Sequence, residues 1–500
     1  MTHPSDPRGP RRPRVVVIGA GFGGLGVAAE LLRAGVGEVS VLEQADDIGG
    51  VWRDNTYPDA ACDAPSSLYS WSWAPNPDWG HRYARQPEIL AYLRRTAAEA
   101  GILERVRTGV EVTGAVYDES AGTWTVRTAS GEEITADVLV PALGQLHRPV
   151  VPALPGLESF AGTAFHSARW DHGHDLTGRR VAVVGAGASA IQFVPAIVDS
   201  VGGLTLFQRS APYVLPKPDR AYTALHHRAF DRFPRSQRFG RRLTWEVSEL
   251  FNRSLVTGGN ALDRVLLAAW RTQLRRQVRD PDLRARLRPD YPLGCKRVLF
   301  GNDWYPALAR DHVDVVTDPI AAVEPAGLRT ADGTLHEVDT IIWGTGFAAT
   351  EFLAPLRVTG VDGVEVHDVW ADGARAHLGM TVPGFPRLFL VYGPHTNLGG
   401  SSIIGMLEAQ ARYVVQAVRA VADGARLDVR PEVAERFDDE MQERGRGTVW
   451  AACTSWYLGP GGRVVTNWPG LVQEYVDRTA RLDLADFDEA LTSKAPTAHR

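Results

Sequence analysis

Cysteine is nearly absent from this chain: Cys62, Cys295 and Cys453 are the only three in 500 residues. They are odd in number, far apart and form no C-x-x-C pair. The sequence therefore predicts neither a disulfide framework nor a zinc site, and it fits a reducing cytosol. The missing pair also excludes a flavin-linked disulfide reductase. Long apolar runs are missing too. Residues 15–32 are apolar but hold five glycines and read as a strand entering a loop, short of the roughly 18 uninterrupted apolar residues of a membrane span. Residues 1–14 are polar, Pro-rich and basic, without the apolar core of a secretory signal. Nor is there a basic excess. Lys and Arg total 54 against 59 Asp and Glu, a net charge of −5, which excludes a dedicated nucleic-acid binder. His172 and His174 have no further ligands clustered beside them, so no metal site is expected.

What is present is an ordinary globular composition, 44% apolar and 23% charged, in a length that predicts about three domains. The 50 glycines suggest many tight turns near ligands. Residues 14–18 (RVVVI) read as a buried strand, followed by glycines, a helical stretch to Arg33 and a second strand at 39–43. The arrangement recurs as a strand at 180–184, glycines, a helix and a strand at 204–208, as expected of two nucleotide-binding units. Pro and Gly crowd residues 141–160, which reads as a domain junction. Residues 222–288 read as a helical insertion, with Leu262, Val265, Leu266 and Ala269 at helical spacing and seven arginines from Arg271 to Arg288 on a solvated face. Strands are expected at 336–343 and 383–393, a long helix from about 403 to 421, and a frayed tail over the last fourteen or so residues.

Gly19-Ala20-Gly21-Phe22-Gly23-Gly24 fits G-x-G-x-x-G directly after a strand. Gly19 suits the tight turn, Gly21 admits a pyrophosphate to the backbone, and Gly24 lets helix and strand pack closely. Glu43 closes the second strand, where a carboxylate binds both ribose hydroxyls, so this site suits FAD or NAD. Gly185-Ala186-Gly187-Ala188-Ser189-Ala190 fits G-x-G-x-x-A, but its second strand ends in Gln208-Arg209-Ser210, without a carboxylate. Arg209 and Ser210 suit a 2′-phosphate. Charge alone thus argues for FAD at the first site and NADPH at the second.

Between these units, residues 160–171 (FAGTAFHSARWD) match F-x-G-x-x-x-H-x-x-x-W-(P/D) through Phe160, Gly162, His166, Trp170 and Asp171. This resembles the fingerprint of type I Baeyer–Villiger monooxygenases. His166 and Trp170 are read as packing residues of the linker rather than catalytic ones. Gly49-Gly50-Val51-Trp52 resembles the family's turn beside the isoalloxazine, and 57–63 with Tyr69 its flavin-side loop. Residues 85–90 resemble a helix start of the family, and Ala142-Leu143-Gly144 and Gly344-Thr345-Gly346-Phe347 its two interdomain junctions. Overall the chain is similar to phenylacetone and cyclohexanone monooxygenases, departing most after Trp456.

The resemblance implies an α/β fold with two Rossmann-like dinucleotide-binding domains, the second interrupting the first, plus the helical insertion. The expected divisions are 1–146 and 344–500 for FAD, the latter including the C-terminal tail, 147–217 and 293–343 for NADPH, and 218–292 for the insertion. It implies that NADPH reduces the flavin, that reduced flavin traps O2 as a C4a-peroxide, and that a ketone becomes an ester or lactone. Such chemistry needs a fixed cation. Arg297 matches the family's active-site arginine and Asp63 the carboxylate that orients it. Lys296 matches a 2′-phosphate contact, Trp456 a tryptophan closing over the nicotinamide nucleotide, and Val112 and Gln192 further cofactor contacts. Cys62 and Cys295 are read as packing residues. The helix after His395–Ser402, with Ser402 as its N-cap, is expected to point its positive end at the flavin. Oxygenation of nitrogen or sulfur is the alternative chemistry, and the sequence leaves the particular substrate and the oligomeric state open.

Overall fold

The computed structural model describes residues 12–488, so most of the basic opening and of the expected tail lies outside the described residues. Four parallel strands form the first sheet: β1 (Arg14–Ile18), β2 (Glu38–Leu42), β3 (Val106–Arg107) and β4 (Val138–Pro141), in the order β3-β2-β1-β4. Strand β1 is almost wholly apolar because both its faces are covered, Val15 and Val17 by the helix that follows it and the helix Ile404–Ala422, Val16 and Ile18 by the antiparallel strands of residues 112–136. Helix α1 (Phe22–Ala34) follows it and ends at Gly35, whose φ of 65° provides a left-handed cap.

The second sheet has five parallel strands: β5 (Thr163–His166), β6 (Arg180–Val184), β7 (Gly203–Phe207), β8 (Val313–Val316) and β9 (Thr340–Trp343). Their order is β8-β7-β6-β9-β5, with helix α2 (Ala190–Ile197) leaving β6. Antiparallel strands accompany each sheet, at 112–136 beside the first and 320–337 beside the second. The expected α/β architecture with two parallel sheets is present.

Four helices interrupt the second unit: α3 (Ala224–Arg232), α4 (Pro234–Thr257), α5 (Ala261–Gln277) and α6 (Pro281–Arg286). On α5 the buried side differs from the expected stripe. Trp270 and Leu274 are buried, whereas Val265 is exposed. The Trp270 indole donates to Tyr305 Oη at 2.9 Å, which fixes the helix rotation. Chain re-entry into the first unit brings α7 (Ile404–Ala422), which packs on α1.

Two strand expectations change. Residues 336–343 form two strands, Leu335–Glu337 and Thr340–Trp343, in different sheets. Residues 383–393 form no strand. They run beside β4, with a single bridge at Leu388 and hydrogen bonds to Leu139 and Pro141. Positive φ at Arg387 and Tyr392 (56° and 64°) breaks the alternation a ladder needs.

Candidate active site

The first glycine turn is close-packed where it must be. A Cβ on Gly24 would sit 1.9 Å from Gly19 O, and one on Gly19, itself at φ 103°, 2.7 Å from Ala142 O. Gly21 is spacious by comparison, with Gly50 Cα as its nearest neighbour at 3.7 Å. Helix α1 has no side-chain cap at its N-terminus, leaving backbone N–H groups to face an anion. Glu43 is buried behind this turn. It accepts from Ala20 N at 2.8 Å and Ala45 N at 3.0 Å, and Arg53 donates to it at 3.1 Å. The backbone cradle and the fixed carboxylate fit the adenosine diphosphate portion of FAD. Val110 rather than Val112 is hydrogen-bonded to Glu43, through its N–H to Glu43 O at 2.9 Å; Val112 opens the neighbouring strand.

Gly50 packs against Gly21 and begins the short turn that carries Val51 and Trp52. The Trp52 indole donates to Tyr69 Oη at 3.0 Å, and the Tyr69 ring meets Phe22 edge-on at 5.2 Å. These contacts fix the aromatic side chains beside the first glycine turn. Gln145 donates to Tyr392 O at 3.2 Å, while its buried Oε1 has no partner. A buried unpaired acceptor of that kind fits a bound polar group.

The second turn repeats the first. A Cβ on Gly185 (φ 105°) would lie 2.4 Å from Gly344 O, as Gly19 meets Ala142 at the other junction. Gly187 leaves space at the N-terminus of α2, which also lacks a side-chain cap, and Ala190 is buried against the strand. Lys296 Nζ donates to Ser210 Oγ at 2.7 Å and lies 4.5 Å above the Tyr291 ring. Burial, then repulsion from Arg209, holds the Lys296 ammonium below its ordinary value. Two cations and a hydroxyl facing one space are a donor set for a phosphate, which fits the 2′-phosphate of NADPH.

Between the cradles lies a bidentate ion pair. Arg297 Nη2 donates to both Asp63 oxygens at 2.8 Å, and its Nε to Oδ2 at 3.1 Å. The two side chains remain 34% and 23% exposed, so the pair is anchored yet still accessible. Burial pushes the Asp63 carboxyl up, but the guanidinium more than offsets this and holds it below the usual carboxylate range. The carboxylate in turn raises Arg297. Gln192, on α2, grips the turn leading to Asp63: it accepts from Tyr57 Oη and Ala61 N and donates to Ala61 O, each at 3.1 Å.

The fingerprint residues His166 and Trp170 hold the linker. His166 Nδ1 accepts from Ala168 N at 3.0 Å, so its proton sits on Nε2, which donates to Gly346 O at 3.1 Å. Trp170 packs on Phe165 and Phe193. His172 and His174 bond to Thr56 and Thr340. Ser402 Oγ accepts from Ile404 N at 3.3 Å, but it lies two residues before the start of α7, whose N-cap position is Ile403 rather than the expected Ser402.

The cysteine reading is corrected. Cys295 is not a packing thiol: it is joined to Cys453 by a disulfide across 158 residues, with Cα atoms 6.1 Å apart. Only the tertiary structure brings them together, and the argument for a reducing compartment loses the support of unpaired cysteines. Cys62 is free and buried, its thiol pushed up to about 12 by burial. The bridge ties the segment bearing Lys296 and Arg297 to the turn bearing Trp456. There the Trp456 ring lies 4.5 Å from Tyr457, whose buried Oη lies beside Asn467 and near enough to Arg297 to feel its charge.

Two residues escaped the sequence reading. Tyr392, at φ 64°, donates to Asn397 Oδ1 at 2.7 Å and lies within the field of Arg297. Lys217 donates to Cys62 O at 3.3 Å and lies 5.0 Å above the Tyr83 ring, beside the Asp63 turn. A signal for it existed: Lys217, Lys296 and Lys494 are the only lysines, among 54 basic residues.

Residues 12–244 match the flavin-binding monooxygenase-like family. A Baeyer–Villiger monooxygenase of Streptomyces coelicolor is 44% identical over 479 residues, covering 95% of this chain and 92% of that protein. One from Pseudomonas aeruginosa is 39% identical over 503 residues, covering 99% and 95%. Among solved structures, a steroid monooxygenase bound to NADP is 32% identical with a TM-score of 0.83 over 94% of this chain and 97% of that one. Cyclohexanone monooxygenase from Rhodococcus sp. Phi1 bound to NADP+ is 27% identical, with a TM-score of 0.84 over the same shares. Two glycine cradles of opposite charge, an arginine–carboxylate pair between them and this end-to-end similarity make the chain a member of the Baeyer–Villiger family of flavin-binding monooxygenases.

Proposed function

We propose that this chain uses FAD, NADPH and O2 to insert one oxygen atom beside a ketone carbonyl. The balance is ketone, O2, NADPH and a proton going to ester or lactone, water and NADP+. The observation that carries this reading is the bidentate Asp63–Arg297 pair standing between the two cradles and partly exposed.

When bound, FAD reduced by NADPH supplies activated oxygen. The protein does the rest. Glu43 and the Gly19–Gly24 turn hold the adenosine end of FAD, and Gly50, Val51, Trp52 and Tyr69 flank its ring. Arg209, Ser210 and Lys296 hold the 2′-phosphate, the Gly185–Ala190 turn the pyrophosphate, and Trp456 covers the nicotinamide nucleotide. Arg297 keeps its protons at any working pH, so it presents a fixed positive charge to the oxyanion formed from the carbonyl. Asp63 aims it without neutralising its outward N–H groups. Burial pushes the Tyr457 phenol up to about 12, so it too stays protonated beside the arginine.

We assign residues 1–146 and 344–500 to the FAD unit, 147–217 and 293–343 to the NADPH unit and 218–292 to the insertion, supported by the two sheets and the helices between them. No helix among the described residues is long and apolar enough to cross a membrane. The demand for NADPH supports a cytoplasmic location.

The deciding experiment is product identification by mass spectrometry from purified holoenzyme with NADPH, O2 and a panel of ketones, amines and sulfides. An ester or lactone is expected. N-oxides or sulfoxides alone, with ketones untouched, overturn the reading.

A further inference from the structure

Six of the twelve large apolar side chains exposed among the described residues lie in one place. Leu225, Phe233, Phe239, Leu243, Val247 and Leu250 are each 56% to 73% exposed, and all belong to α3, α4 or the residue joining them. On α4 the last four follow at spacings of four, four and three, which is one face of a helix. A soluble surface rarely carries such a contiguous stripe without a partner.

The charge beside this stripe is one-sided. Arg228, Arg232, Arg235, Arg238, Arg242 and Arg253 are exposed, and none makes an ion pair among the described residues. Arg242 and Arg253 run along the stripe's edge by helical spacing. Glu246 is the one exposed acid on α4. Elsewhere some exposed arginines have carboxylate partners, as Arg180 has Glu337 and Asp339 and Arg107 has Glu132, while others, such as Arg271 and Arg275 on α5, have none among the described residues.

The opposite face of α4 is firmly attached. Trp245 packs on Gly405, Asn252 donates to Gly470 O at 3.2 Å and accepts from Gly400 N at 3.1 Å, and Arg241 donates to Ser70 O at 3.1 Å. The stripe is thus a fixed outer face, seated on the loop that precedes α7.

We propose that the α3–α4 face seats this enzyme on an anionic phospholipid surface. Apolar side chains enter the acyl boundary while guanidiniums meet lipid phosphates, the charge pattern of an interfacial helix. Charge complementarity decides against a second copy of this chain. A two-fold interface would set unpaired arginines against the same unpaired arginines.

The test is co-sedimentation of the holoenzyme with vesicles of phosphatidylcholine alone and of phosphatidylcholine mixed with phosphatidylglycerol. Binding is expected to the mixed vesicles only and to fall with added salt. Two triple variants separate the terms: Phe239→Ser with Leu243→Ser and Val247→Ser, and Arg235→Ser with Arg242→Ser and Arg253→Ser. Each should retain the flavin spectrum and NADPH oxidation in free solution. The arginine variant should partition on the order of a hundredfold more weakly. Absence of binding to the mixed vesicles, or equal binding by the variants, overturns the proposal. So does a dimer in light scattering that the apolar variant dissociates, which would assign the face to a second copy.

Discussion

Gln192 pairs with both sides of Ala61: its Nε2 donates to Ala61 O and its Oε1 accepts from Ala61 N, each at 3.1 Å. A helix of the second nucleotide unit thereby fixes a turn of the first, two residues before Asp63. Gln192→Ala removes both bonds and the one to Tyr57. Each is worth about 1 kcal/mol, so kcat/KM for the ketone should fall roughly ten- to a hundredfold while FAD content stays unchanged. Steady-state kinetics with flavin quantification checks this; an unaltered kcat/KM would refute the positioning role.

Arg297→Lys keeps the charge but loses the planar fork that meets both Asp63 oxygens. Flavin loading and reduction by NADPH should survive, and ester formation should fall on the order of a hundredfold or more. Stopped-flow reduction rates beside product yield separate the two effects.

Lys296→Ala and Arg209→Ala should each raise KM for NADPH about tenfold or more and leave KM for NADH nearly unchanged, because only NADPH carries the phosphate. Equal effects on both cofactors would place these residues elsewhere.

The Cys295–Cys453 bridge closes a 158-residue separation. Cross-links of such length stabilise by about 2–4 kcal/mol. Cys453→Ser, or treatment with a dithiol, should lower the midpoint of thermal unfolding by several degrees. It should also raise KM for NADPH, because the turn bearing Trp456 loses its tie to the arginine segment. Thermal scans and kinetics with and without reductant test both.

Burial raises the Asp428 carboxyl to about 6, against the opposing pull of Gly384 N–H and Arg426. The folded state therefore holds this proton more tightly than the unfolded chain does. Stability falls as pH rises from about 4 to 6 and stays reduced above that, by about 2 kcal/mol after allowance for solvent. Asp428→Asn retains an acceptor for Gly384 N–H and carries no charge. It should melt higher than the parent at pH 7 and equally near pH 4, as differential scanning calorimetry would read.

The sequence by itself determined the parts written locally. A strand, a glycine turn and a helix lie within about twenty residues, so both cradles were readable from spacing. So was the difference between Glu43 and Arg209 at the strand ends, because one side chain sets the charge each ribose meets. The pairing of Asp63 with Arg297 was legible only through family resemblance, as 234 residues separate them. Tertiary structure alone decided the rest. Residues 383–393 read as a strand, but two left-handed residues turned them into an irregular edge. Cys295 and Cys453 met only because the C-terminal turn folds back over the second unit. Helical spacing on α5 could not say which side would be buried; the Trp270–Tyr305 contact did. Local propensity acts between neighbours in the chain, whereas burial and pairing act between neighbours in space, and these five hundred residues bring the second set together only once folded.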